Sequence, residues 1–116
     1  MSLTRPIEVS IDTFEELVIK KSYEQLVVLD ISADWCTPCK ILEPILTGVA
    51  AEYNNSELSL VKLEAEDENM KIAGRFSVRG FPTVIAFIRG EEVARFHSAQ
   101  TDVFLREFID KNLEVF

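Results

Sequence analysis

Apolar residues in this chain occur in two kinds of run, and the order of those runs predicts strands alternating with helices. Gln25 to Ser32 is apolar and β-branched with no polar alternation, which is how a strand buried on both faces reads. Behind it Ile41, Leu42, Ile45, Leu46, Val49, Ala50 and Tyr53 recur at helical spacing, predicting a long helix from Cys36 to about Tyr53. Pro44 removes one backbone hydrogen bond from that helix and should bend it. Asn54-Asn55-Ser56 reads as a turn, and Leu58 to Leu63 as a second buried strand, parallel to the first through a right-handed crossover.

The flanking elements follow by the same reasoning. Ile7 to Ile11 reads as a first short strand. Asp12 and Glu15 resemble a capping box, opening a helix with Phe14, Leu17 and Val18 on its apolar face and Lys20-Lys21 near its end. Asn69 is placed to cap a short third helix carrying Met70, Ala73 and Phe76. Thr83 to Ile88 and Glu92 to His97 form a hairpin around Arg89-Gly90-Glu91, and the charged second strand suits a sheet edge. Thr101-Asp102 starts a last helix docked through Val103, Phe104, Leu105, Phe108, Ile109 and Leu113. The expected fold class is α/β, a three-layer domain with a mixed central sheet of four to five strands flanked by helices. Repeats, low-complexity segments and linkers are absent, so residues 1–116 read as a single domain, with 1–6 a loose N-terminal extension.

Composition narrows the partners. Twelve Lys and Arg against 20 Asp and Glu give a formal charge of -8, which argues against nucleic acid and anionic membrane surfaces, since both need a basic patch. Glu64, Glu66, Asp67 and Glu68 read as a solvated acidic loop face. Neither a signal-peptide pattern nor an apolar run of membrane-spanning length is present, making a cytoplasmic protein the default expectation; a mature exported domain would look the same.

Two cysteines are too few for a disulfide framework, and their spacing points to chemistry. Cys36 and Cys39 flank Thr37-Pro38 where a strand hands over to a helix. A first thiolate attacking a substrate disulfide, with a second thiol resolving the mixed disulfide, needs that spacing. Cys36 falls at the helix N-terminus, where unpaired N–H groups and the dipole favour a thiolate, and Cys39, one turn in, should be more shielded. Pro38 suits the first turn. Zinc is a poor fit, because a CxxC supplies two ligands of four and His97 is distant on an edge strand. With no phosphate-cradling loop or nucleotide fingerprint, no bound cofactor is expected. Asp30 interrupts the central strand, and an acid there is paired, kept neutral by a raised pKa, or at a strand end reaching solvent. Lys62 is either a snorkelling lysine or a charge partner of Asp30. Pro82 by composition alone reads as an ordinary trans residue.

Trp35-Cys36-Thr37-Pro38-Cys39-Lys40 resembles the active site of thioredoxins, and Asp30, Pro44, Lys62 and Gly80-Phe81-Pro82-Thr83 extend the resemblance from about Ile7 to Leu113. The resemblance implies a protein-disulfide reductase with Cys36 as nucleophile, Cys39 as resolving thiol, Asp30 as its proton acceptor and Lys62 tuning that acid. It implies a cis Pro82 packed on the CxxC, and a substrate-binding surface made of Trp35, Thr37, Pro38, Phe81, Pro82, Ser98 and Ala99. Its implied partners are protein disulfides and a flavin-containing thioredoxin reductase acting on a monomer. Pro38, in place of a histidine beside the second cysteine, favours the reducing end of the family's range. Three positions depart from the common pattern: Thr37 and Ser98 stand where glycines are usual, and Ser32 where many members carry a second tryptophan. Those departures leave room for a binding or chaperone-associated adaptor with a secondary dithiol, and an exported oxidase or isomerase is a third option.

Overall fold

In the computed structural model, which describes residues 6–116, the elements follow the order β1 (Ile7–Val9), α1 (Glu15–Lys20), β2 (Leu26–Ser32), α2 (Thr37–Ala50), β3 (Leu58–Glu64), α3 (Met70–Arg75), β4 (Thr83–Ile88), β5 (Glu91–His97) and α4 (Asp102–Val115). All seven residues of β2 are buried, as its unbroken apolar run requires. It lies in the middle of a five-stranded sheet of order β1-β3-β2-β4-β5. β2 and β1 run parallel to β3, and the β2-β4 and β4-β5 pairs are antiparallel, so the sheet is mixed.

Strand alternation divides the core into two layers. Leu26 and Val28 of β2 join Leu58 and Leu60 of β3 beneath Leu42, Leu46 and Val49 of α2 and Leu105 and Ile109 of α4. Val27, Leu29 and Ile31 face the other way, against Phe14 and Val18 from the α1 side and Ile72 and Ala73 of α3. The last two β2 positions on the α2 side, Asp30 and Ser32, are not aliphatic. That change of character places the chemistry described below.

Several boundaries differ from the sequence expectation for local reasons. β1 ends at Val9, where a turn begins: the Ser10 N–H donates to Thr13 Oγ1 at 2.9 Å and the Asp12 N–H to Ser10 Oγ at 3.2 Å, and among the described residues no side chain caps α1 in the way expected of Asp12 and Glu15. Glu15 instead accepts from Arg75 at 3.2 Å, and α1 is wound as a π-helix. α2 ends at Ala50, three residues early, with Pro44 inside it. Asn69 does not cap α3; its Oδ1 accepts from the Ile11 N–H and its Nδ2 donates to the Glu64 carbonyl, tying two loops together. Ile41 and Val103, although at helical spacing, point to solvent. The hairpin turn is Arg89-Gly90, both residues with positive φ, so β5 starts at Glu91. A Cβ on Gly90 would lie 3.0 Å from the Tyr23 hydroxyl, a second reason for glycine there. Apart from Pro6, the extension expected over residues 1–6 lies outside the described residues.

Helix α4 docks through Leu105 and Ile109, which are fully enclosed, while Val103 is 58% exposed. Leu105→Ala should therefore cost about 2–5 kcal/mol of unfolding free energy, and Val103→Ala less than about 0.5 kcal/mol, both read by urea denaturation. Equal losses would contradict this docking face.

Candidate active site

The strand-to-helix handover puts Cys36 in the N-cap position of α2, with extended backbone (φ -92°, ψ 109°) and its N–H bonded to the Ala33 carbonyl at 3.1 Å. From there the Cys39 N–H donates to Cys36 Sγ at 3.2 Å, and Pro38 occupies the first turn, where its missing N–H costs nothing. The two cysteines are disulfide-bonded, with Cα atoms 5.3 Å apart. Contrary to the expectation that Cys39 is more shielded, both are enclosed alike, at 3% and 4% exposure. In this oxidised state exposure does not distinguish attacker from resolver.

Around the disulfide the expected surface residues fall into two groups. Trp35 is 73% exposed and meets the Phe81 ring edge-on, with centroids 5.9 Å apart. Phe81 packs in turn on Ala33, Cys36 and Cys39, and Thr37 and Pro38 are exposed on the same helix start. The Phe81-Pro82 peptide is cis. The Pro82 carbonyl accepts from the Ser98 N–H at 3.1 Å, and Phe81, Pro82 and Ser98 line a recess with Arg79, Gly80 and His97. Ser98 has φ +72°, a left-handed conformation that glycine adopts freely and that costs another residue roughly 1–2 kcal/mol. Ala99 packs against the core cluster that includes Leu105 and Ile109.

Thr83 and His97 brace this loop in a way the sequence did not suggest. The Thr83 hydroxyl donates to the Gly80 carbonyl at 2.7 Å, so its oxygen is left to accept, and His97 Nδ1, 3.1 Å away, must carry the proton. Among the described residues no three His, Cys, Asp or Glu side chains converge where a metal ion could be held, and no helix is long and apolar enough to cross a membrane.

Beneath α2, the sheet face that carries Leu26, Val28, Leu58 and Leu60 continues as Asp30, Ser32, Lys62 and Glu64. Asp30 is 2% exposed, lies beside Lys62 in the register, and its Oδ1 has no hydrogen-bond partner among the described residues. Lys62 donates instead to Glu43 at 2.5 Å and also pairs with Glu64 at 3.2 Å. Glu64 is thus part of β3 and half-buried, a correction to its reading as solvated loop acid. Burial, chiefly, and then the Glu43 carboxylate push the Asp30 carboxyl up to about 7; Lys62 pulls it down and Glu64 adds to the rise. Glu43 was not anticipated, although it stands four residues after Cys39 and so on the same helix face.

Residues 5–111 match the family model for thioredoxin. The chain is 36% identical to thioredoxin of Buchnera aphidicola from Acyrthosiphon pisum over 111 residues, 96% of this chain and 99% of that one. With thioredoxin of Chlamydia pneumoniae it shares 39% identity over 87 residues, 75% of this chain and 82% of the relative. The structure of thioredoxin f from spinach chloroplast, short form, superposes with a TM-score of 0.81 at 30% identity, covering 96% of this chain and 97% of that one. The chain belongs to the thioredoxin family. Its CxxC pair and thioredoxin fold make it a thiol-disulfide oxidoreductase.

A buried acid with a raised pKa makes stability fall with pH. Between pH 3.8 and about 7 the folded protein keeps a proton on Asp30 that the unfolded chain has released, so this contribution is complete below about pH 4 and lost by pH 7 and above. Asp30→Asn should remove the dependence, leaving the variant more stable than the parent at pH 8 by up to about 4 kcal/mol and close to it at pH 4. Urea denaturation across that range checks it; a gain of the same size at both ends would contradict the assignment.

Proposed function

We propose that this protein reduces disulfides of other proteins through the Cys36/Cys39 dithiol. The observation that carries the reading is the Cys36-Cys39 disulfide seated at the start of α2, with a backbone N–H aimed at Cys36 Sγ. In the reduced protein that N–H, together with the helix dipole, faces the Cys36 sulfur and favours its thiolate.

The Cys36 thiolate attacks one sulfur of the substrate disulfide, forming a mixed disulfide and releasing the other sulfur as a thiolate that takes up a proton. Cys39 then gives its proton to Asp30 and attacks Cys36 Sγ. The second substrate sulfur leaves as a thiolate that takes up a proton, Asp30 gives up the one it accepted, and Cys36-Cys39 is left oxidised. An acid titrating near neutrality suits the acceptor role, being ionised often enough to take the proton and basic enough to hold it. Lys62 sets the charge beside that acid. Trp35, Thr37, Pro38, Phe81, Pro82 and Ser98 present the docking surface, with Ala99 behind it, and the Phe81 backbone pairs with an extended substrate peptide.

The reading includes a monomer in the cytoplasm, occupying residues 1–116 as one domain and re-reduced by a thioredoxin reductase. Coupled reduction of a model protein disulfide should be abolished in Cys36→Ser. Cys39→Ser should instead accumulate a mixed disulfide with substrate, visible as a dithiothreitol-sensitive adduct on non-reducing gels. A Cys36→Ser protein that retains turnover, or a Cys39→Ser protein that traps nothing, would overturn the mechanism.

A further inference from the structure

The polar patch under α2 contains more charge than the reaction described above uses. Lys62 has its ammonium shared between two carboxylates, Glu43 from α2 and Glu64 two residues along its own strand. Glu64 is fixed in turn by the Ser32 hydroxyl, which donates to its Oε1 at 3.4 Å. Ser32 stands where the family resemblance would put a tryptophan, so this chain has a small polar anchor in that place. Asp30, next to Lys62 in the register, makes no ion pair with it within 4 Å.

We propose that Glu43 and Glu64 are positioning residues for proton transfer, clamping the Lys62 ammonium so that Asp30 faces a triad of net negative charge instead of a free cation. The proposal rests on Asp30 serving as the base for Cys39. Glu43 is suited to this because it lies one helical turn beyond Cys39, and both line one cavity of about 190 Å³ together with Ser32, Lys40, Lys62 and Glu64. A free ammonium beside Asp30 would oppose the burial that raises its pKa and make it a weaker base. Two carboxylates on one ammonium reverse that local field, in line with Glu43 and Glu64 both raising the Asp30 pKa while Lys62 lowers it.

The other charged groups around Asp30 are few. α2 adds Lys40, which lines the cavity, and Cys39, held in the disulfide; the loop after β2 adds Asp34, also on the cavity wall. On β1, Glu8 lies beyond Lys62 in the register, β4 offers Val84, and α4 meets this face through Leu105 and Ile109. Arg106 and Asp110 of α4 are engaged with Glu52 and Tyr53.

The test is the ionisation midpoint of Asp30 by carboxyl ¹³C NMR in the oxidised protein, where neither cysteine titrates. Glu43→Gln and Glu64→Gln should each lower the midpoint by about 0.5–1 pH unit, and Lys62→Gln should raise it. Glu66→Gln, on the exposed loop outside the clamp, should leave it unmoved. In the reduced enzyme, the pH profile for resolution of a preformed mixed disulfide should shift in the same direction as each midpoint. A midpoint that stays put in Glu43→Gln and Glu64→Gln, or moves up, would overturn the clamp. Midpoints that move while the resolution profile does not would overturn its role in proton transfer. Neither result depends on reductase turnover, which the cysteine variants test separately.

Discussion

The contact between the Cys39 N–H and Cys36 Sγ joins the fold to its chemistry. It exists because β2 hands over through a short turn to a helix that starts at Thr37, leaving Cys36 as N-cap with a sulfur where Ser, Thr or Asp would ordinarily place an oxygen. Any donor that caps a helix through sulfur also favours negative charge on that sulfur. Pro38 makes this start rigid, and the Trp35-Phe81 contact screens one side of it. The central strand is thus more than filler: its burial fixes where the helix starts and what sits beneath it.

What sits beneath it is a sheet face that changes character within two residues. Leu26 and Val28 bind α2 by apolar burial, whereas Asp30 and Ser32, with Lys62 and Glu64 alongside, form an ionic floor under Cys39 and Glu43. Burying a carboxyl at this point lowers stability at neutral pH, and the proton-accepting role we propose for Asp30 is what would offset that loss. The cis-proline loop carries its own strain in Ser98, a non-glycine residue in left-handed conformation held by its N–H bond to Pro82.

Much of this was legible in the sequence because it depends on periodicity. The buried runs gave β2, β3 and β4, helical spacing gave α2 and α4, and the CxxC with its flanking residues gave the reacting pair. Helix starts were less legible: among the described residues no side chain caps α1, Ser10 and Thr13 bond within the preceding turn, and Glu15 pairs with Arg75, a partner brought by the fold and not by local sequence. The destination of Lys62 was not readable either. Sequence offered Asp30 or solvent; the structure gives Glu43 and Glu64, because Glu43 comes from a different element and meets Lys62 only after α2 packs on the sheet. His97 likewise acquired its role from a cross-strand neighbour, Thr83.

The central claim, that the helix start makes Cys36 the attacking thiolate, is tested most directly by limited alkylation of the reduced protein at a series of pH values, with the modified cysteine identified by peptide mass mapping. The account predicts that Cys36 is labelled first, at a rate that persists well below the ordinary thiol midpoint of about 8.5, while Cys39 lags. Equal labelling of both cysteines with a midpoint near 8.5, or preferential labelling of Cys39, would contradict it.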